Sequence, residues 1–408
     1  MNGTGTPSFL ARHAGLAPDV TRDAAATAFA LHGLPGPREE AWRYTPLRPL
    51  ADTIFRAGNQ ADAALLLSDL ALPELPRLVF LDGRFQPRLS RLPDAVRITT
   101  GAPAFGHIAD GSEKLVTLNT MLAEDGAFID VPPGIDGGTL LLVSLGSDGG
   151  GSPVSFHPRH AIRLGAGASL TIGELNAGHG VYFSNPVITA DIAEGATLTH
   201  LRQQREAAGA FHLSTVFAEI AADATYDSTA LALGGRLTRQ QTHARLAGPR
   251  AAAHLNAVQL LGLSQHADFT TIIRHAAPAT ASRQTVKNVL TGRARGVFQG
   301  KIEVDRIAQK TDGYQMNQTL LLSRDAEIDS KPQLEIYADD VKCSHGCTVG
   351  ALDADQLFYL RSRGVPEPEA RRLLIRAFLA EALDPIAHDA LRTHMEAAIA
   401  TWWETQPT

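Results

Sequence analysis

"GASLTIGEL" (Gly167–Leu175), "GATLTHLRQ" (Gly195–Gln203) and "DATYDSTAL" (Asp223–Leu231) open at a constant step of 28 residues. Each begins with a small or turn-forming residue and continues with alternating side chains. In the first, Leu170, Ile172 and Glu174 share one face, while Ser169, Thr171 and Gly173 take the other. A period of two marks a strand. The same step lands on "AAAHLNAVQL" at Ala251, "ATASRQTVKNVL" at Ala279 and "IAQKTDGYQMNQTLLL" at Ile307, and one step back on "TLLLVSL" at Thr139. A second stretch closes most units: Pro186–Ile192, Ser214–Ile220, Phe269–His275 and Val297–Val304. Two strands per unit predict a mainly β chain, a right-handed parallel β-helix whose stacked coils bury one continuous core. The right-handed sense is the one parallel connections strongly prefer. Gly134, Gly167, Gly195, Gly234 and Gly235 fall at the corners, where positive φ or close backbone approach is needed. The competing arrangement is an antiparallel sandwich with coincidental spacing.

The flanks read differently. Residues 1–100 form a mixed cap: one helix in Pro18–Gly36 ended by Gly33, a short element in Asp62–Pro76, and a hairpin in Arg77–Pro87 turning at Asp82–Gly83. Residues 101–350 are the β-helix. Residues 351–408 are helical. Asp353 caps a first helix that Gly364 ends, and Asp384–Pro385 stops a second with Leu373, Leu374, Ala377 and Phe378 on one face. Leu391, Met395, Ala398 and Trp402 line a third. The plainest role for these helices is to cap the end of the solenoid, whose strand edges need cover.

The 408 residues are 44% hydrophobic and 20% charged with net charge −6, ordinary for a chain with a sizeable core. Nothing suggests a nucleic-acid footprint, and no apolar run approaches the roughly 20 residues that span a bilayer. Met1–Gly15 lacks a charged start followed by an apolar core, so the cytoplasm is the expected location, with both cysteines reduced. There is no GxxxxGK[ST] loop for ATP, no GxGxxG unit, no GxSxG elbow and no HExxH pair. His157, His160, His388 and His394 read as solvent-facing or packed side chains. Adjacent Asp339 and Asp340 would point apart in a strand and make no acid/base dyad.

The chemistry-bearing segment is "DDVKCSHGCTVG" (Asp339–Gly350), which holds both cysteines. If it is extended, Cys343, His345 and Cys347 project from one face at intervals of about 7 Å. Thiolate and imidazole suit iron in clusters or zinc. Three donors so spaced do not close around one ion, so an exposed row shared with another strand or chain is one reading. Two buried thiols and a capping histidine are the other.

"SKPQLEIYADDVKCSHGCTVGALDADQLFYLRSRGV" (Ser330–Val365) with "EARRLLIRAF" (Glu369–Phe378) resembles the signature of the SufB/SufD family of iron–sulfur cluster assembly scaffolds, and "EAWRYTPL" (Glu40–Leu47) resembles the N-terminal motif of its SufD branch. The resemblance implies helical regions around a right-handed β-helix. It implies no enzymatic activity and no ATP bound by this chain. It implies a SUF complex in which SufB joins through the C-terminal edge of the β-helix and the ATPase SufC binds the C-terminal helices. Here that surface would involve Asp353, Phe358, Tyr359, Arg361 and Arg371. A transient cluster or iron would be built at the SufB interface, with His345 as a ligand and Cys343 beside it. The isolated chain would be able to form a homodimer. No cysteine occurs from Met1 to Lys342, whereas the SufB branch carries core cysteines, one of which receives sulfur; the SufD branch fits. Cys347 departs from the family pattern, which has Ala or Thr there. The competing functions are a secreted-type β-helix polysaccharide lyase or hydrolase, and a zinc-binding structural protein using Cys343, His345 and Cys347.

Overall fold

A computed structural model describes residues 6–58, 62–106, 113–148 and 150–405. The first residues of Met1–Gly15, read above for a leader, lie outside the described residues. Beyond them the chain is a parallel β-solenoid of about 8 turns with helices at both termini. Two sheets face each other. One has ten strands, running from the Arg77–Phe85 hairpin through Asp136–Gly146, Ser169–Gly178, Thr197–Arg205, Thr225–Ala232, Ala252–Leu261, Ala281–Leu290 and Asp312–Leu321 to Lys342–Gly350. The other has eleven and ends at Glu327–Ile336. All coil-to-coil pairings are parallel, which excludes the sandwich.

The step of 28 holds only early, where Ser169 pairs with Thr197 and Thr197 with Thr225. Later registers pair Thr225 with Ala252, Ala252 with Ala281, Ala281 with Asp312 and Asp312 with Lys342. Thr139 pairs with Thr171, not with the unit's first residue. Stacking fixes the strands, and the surplus residues go into the corners, which tolerate insertion. One corner repeats in the left-handed region at Gly167, Gly195, Asp223, Arg250, Ala279 and Lys310, with φ between 57° and 65°. Glycine adopts that backbone freely; the last four do so against a steric cost of about 1–2 kcal/mol each. Their N–H groups reach the next corner, as in Ala279 N–H to the Gln309 carbonyl at 2.8 Å.

The outer faces of both sheets are partly covered. Helices α1 (Thr6–His13), α2 (Val20–His32), α3 (Arg48–Ala51), α4 (Ala63–Ser68) and α5 (Lys114–Leu122) belong to the N-terminal part. Asp19 caps α2 and Gly33 ends it at φ 59°. Phe9, Phe29, Trp42, Phe55 and Leu118 pack on Phe183, Phe211, Leu213 and Leu237 of the eleven-stranded sheet. The hairpin turns at Asp82–Gly83, as the sequence implied, and its longer strand adds parallel to Asp136–Gly146.

Helices α6 (Ala354–Ser362), α7 (Glu367–Leu383) and α8 (Asp389–Thr405) follow the last strand. α7 and α8 do not cap the solenoid end. They lie back along the ten-stranded sheet, with Ile375, Leu379, Leu391, Met395 and Trp402 on Leu141, Leu175, Leu201, Leu231, Val258 and Val289. Burying that stripe of leucines costs less than leaving it to water. The buried face of α7 is Ala370, Ile375, Leu379, Ala382 and Leu383; the expected face was misphased, and Leu373 and Ala377 turn out toward a groove of about 790 Å³ against α8. Asp339 and Asp340 occupy a bend before the last strand, and Asp340 pairs with Lys310.

Candidate functional site at the open end

Lys342–Gly350 is the last strand of its sheet, paired on one side only. Its register matches Gly313 with Cys343, Gln315 with His345 and Asn317 with Cys347. One coil earlier the same positions are Ser282, Gln284 and Val286, all fully buried. Cys343, His345, Cys347 and Val349 therefore have the parity of core residues. They reach solvent only because no further coil covers them. Cys343 is half-buried, and His345 and Cys347 are exposed, so the donor row is an uncovered cross-section of the interior.

That interior is mixed along the axis. In the first coils Leu170, Leu198, Leu255, Ile162 and Val216 share it with the buried Glu174, His200 and Arg202. Near the open end it carries a ladder of amides. Gln284 donates to Gln315 Oε1 at 3.3 Å, and Gln315 donates to the Gly300 carbonyl at 3.1 Å. Asn288 donates to Asn317 Oδ1 at 2.7 Å, and Asn317 donates to Ser330 Oγ at 2.8 Å. These bonds hold the amides of Gln284, Gln315 and Asn317 beneath the row. Gly313 leaves space for the Cys343 sulfur, which lies 3.3 Å from where a Cβ would stand. Burial pushes the Cys343 thiol above its ordinary value; a hydrogen bond from the Gly313 backbone opposes this, and the Asp312 charge adds to it. Burial also pushes up Cys347, against a hydrogen bond from the Asn317 backbone. Both are thiols at neutral pH, and a cation that binds them must displace a proton. Among the described residues no three His, Cys, Asp or Glu side chains lie together as a metal site.

The two edges at this end differ. Glu327–Ile336 carries Pro332, and Lys331 is tied to Glu40 at 2.5 Å; proline and lysine are usual guards against strand addition. Lys342–Gly350 has neither beyond its first residue. Ile336, Tyr337 and Val349 are exposed around it.

The strand leads directly into α6, which buries no residue. Asp353 accepts hydrogen bonds from the Asp355 and Gln356 N–H groups at 2.9 and 3.0 Å and is the cap of α6. Phe358 and Tyr359 are 71% and 56% exposed. Arg361 and Arg371 both reach Glu367, at 3.4 and 3.0 Å. The nominated residues thus form two groups, the donor row on the edge strand and an aromatic–basic surface on α6 and the start of α7.

Residues 146–378, which include the donor strand and α6, match the family model described as SUF system FeS cluster assembly, SufBD core domain. The chain belongs to the SufBD family. It is 34% identical over 393 residues to the iron–sulfur cluster assembly protein SufD of Escherichia coli, covering 90% of this chain and 89% of that protein. It is 31% identical over 394 residues to a SufBD family protein of Synechocystis, covering 90% and 87%. With the chloroplastic protein ABCI7 of Arabidopsis thaliana it shares 29% over 407 residues, covering 93% and 85%. These relatives make it a SufD-like member of the family. Among the described residues no helix is long and apolar enough to cross a membrane.

Three features of this SufBD chain escaped the sequence reading. The "EAWRYTPL" segment is a clamp. Trp42 lies 4.1 Å beneath the Arg239 guanidinium, which bonds the Ala41 carbonyl at 2.9 Å and Asp268 at 2.5 Å; Thr45 donates to the same carboxylate. Lys287 is buried under α7, 2.5 Å from Glu381 and 4.7 Å from the Phe378 ring. Within the solenoid, Glu174 accepts from His200 at 2.9 Å and lies 3.3 Å from Arg202. Their signal was weak but present: charged residues at inward or covered strand positions must find partners. His157 and His160 are packed in the interior, and burial holds the His160 imidazole down at about 4.

Proposed function

We propose that this chain is a non-catalytic scaffold of the SUF machinery. In this reading SufB joins along Lys342–Gly350, SufC is held by α6 and α7, and His345 with Cys343 serves a cluster or iron in transit at the SufB interface. The N-terminal region to about residue 100 braces the solenoid, which runs to residue 350, and residues 351–408 carry the SufC contact through Asp353, Phe358, Tyr359, Arg361 and Arg371. The chain binds no ATP itself, and works without nucleic acid or membrane in the reducing cytoplasm, where both thiols stay available. One observation carries the reading: a core-parity thiol–imidazole row left bare on an unguarded strand edge. An incomplete donor set on an open edge is what a shared site requires.

The physical role of each group follows. His345 offers an imidazole nitrogen to iron. Cys343 offers a thiolate after losing its proton, and its position over Gly313 keeps the sulfur at the rim. Expression with SufB and SufC is the test. The expected outcome is a complex of all three, with His345→Ala assembling but yielding little cluster on reconstitution. A complex lacking either partner, or wild-type cluster yield from the variant, would refute the corresponding part.

A further inference from the structure

Arg159, Arg202 and Arg239 are fully buried. Arg202 lies 3.3 Å from the Glu174 carboxylate, and Arg239 lies 2.5 Å from that of Asp268. Arg159 reaches no carboxylate among the described residues. Its Nη1 donates to Asn119 Oδ1 at 3.3 Å, and its Nε is buried without a partner. Burial lowers the Arg159 guanidinium to about 10, so it stays charged at neutral pH. A charge taken out of water without a counterion is strongly destabilising. The surroundings show which side of the group is unused. Arg159 opens the strand Arg159–Leu164 and stands opposite Val187 of the next coil. Val187 belongs to an apolar patch with Val116 and Phe217. Asn119, on α5, donates to the Pro158 and Asn185 carbonyls at 3.0 and 2.8 Å, which turns its oxygen toward Nη1. The Phe105 ring centre lies 5.3 Å from the guanidinium carbon, and that ring is 47% exposed, which puts the site next to solvent. Asp125, whose backbone carbonyl accepts from the Arg159 N–H at 3.1 Å, spends its own carboxylate on the N–H groups of Phe85, Gly101 and Gly126. The edge formed by Nε and Nη2 therefore has no acceptor among the described residues. Its two parallel N–H donors match two oxygens of one oxyanion.

We propose that Arg159 binds a small oxyanion through its Nε–Nη2 edge, beneath α5 and beside Phe105. The anion supplies the countercharge that Glu174 and Asp268 give to the other two arginines. It also ties α5, through the same guanidinium that holds Asn119, to the eleven-stranded sheet. The site lies far along the chain from the open end and does not depend on the scaffold reading.

Thermal melting of the full chain in sodium formate, sodium phosphate or sodium chloride at equal ionic strength tests it, with calorimetric titration for the stoichiometry. The expected result is a saturable rise in melting temperature with an oxyanion, beyond that in chloride, at one ion per chain. At about 100 times the dissociation constant the folding equilibrium constant grows about 100-fold. A response to formate alone assigns the site to carboxylates, and a response to phosphate alone assigns it to inorganic oxyanions. Arg159→Met, which lacks the buried charge, gains nothing from either. Arg159→Lys keeps the charge without the fork and loses about tenfold in oxyanion affinity. An equal response from wild type and Arg159→Met, or no wild-type response beyond that in chloride, overturns the site. Should Arg159→Met not fold, hydrogen exchange in Lys114–Leu122 of the wild type decides. Slower exchange in the oxyanion than in chloride supports the site, and unchanged exchange overturns it.

Discussion

Val349→Pro separates the free edge from the fold. Val349 belongs to the alternate set whose N–H faces outward, while Thr348 bonds inward to the neighbouring strand, in phase with the Lys342–Thr311 bond. Proline at 349 removes a donor that the chain itself does not use, in a residue already 53% exposed. A docked strand then loses one hydrogen bond, net about 1 kcal/mol, and keeps a carbonyl buried without a donor, about 1–2 kcal/mol more. The sum of about 2–3 kcal/mol should weaken the proposed capture of SufB about 30- to 150-fold. Thr348→Pro removes an intrachain bond and should lower the melting temperature instead. Biolayer interferometry against immobilised SufB, with thermal melting of each variant, gives both numbers. If Val349→Pro binds within about threefold of wild type while folded, the edge does not dock by strand addition and the reasoning fails.

Three further perturbations test the supports. Asp268→Asn leaves the buried Arg239 charge without its counterion and should cost about 3–5 kcal/mol; Arg239→Leu with Asp268→Leu should cost clearly less than the sum of the single changes, read from urea melts by Trp42 fluorescence in a chain with Phe at 402 and 403. Lys287→Met keeps the apolar stem but drops the contacts to Glu381 and Phe378; because Glu381 is 62% exposed, the loss should be only about 1 kcal/mol. Hydrogen exchange in Glu367–Leu383 should then quicken about fivefold, with the strands unchanged. For Glu174, burial alone would raise the carboxyl, but the His200 hydrogen bond and the Arg202 charge outweigh it and hold it below its ordinary 4.5. The stability it lends is complete above that value and is lost as pH falls toward the folded one. Glu174→Gln should be less stable at pH 7 and should show a flatter acid limb in urea midpoints; an unchanged limb would place the acid sensitivity elsewhere.

The solenoid was legible because its signal is doubly periodic: two along each strand and about 28 between coils. What the spacing missed was corner length, since a corner can absorb two or three extra residues without disturbing the ladder. The donor row was legible as a row, because alternation alone puts Cys343, His345 and Cys347 on one face. Its exposure was not, because inward parity predicts burial and only the end of the repeat removes the cover. The α7 face was misread for a related reason. Leu373 and Ala377 are as apolar as Ile375 and Leu379, and a helix with two apolar stripes does not say which one meets the sheet. The clamp at Trp42 was invisible as packing, because its partners lie some two hundred residues away on strands whose outward positions read as solvent.

Covered sides and a bare end also decide how a pull on the C-terminal region would be felt. α7 is fastened to the ten-stranded sheet by Ile375, Leu379 and the Lys287–Glu381 contact. α6 buries nothing and connects on one side to α7 and on the other, through Ala351–Asp353, to the donor strand. Force applied at Phe358 and Tyr359 therefore divides between a helix backed by apolar burial and a strand held along one edge only. Peeling a strand held along one edge breaks its hydrogen bonds one at a time, at about 1 kcal/mol each, whereas lifting α7 must expose Ile375, Leu379 and Leu383 together, at about 1.5–3 kcal/mol apiece, so the strand yields first. A partner that grips α6 consequently acts on Cys343, His345 and Cys347 before it disturbs the solenoid, and a Lys287→Met chain, with α7 loosened, should transmit less of that motion to the donor row.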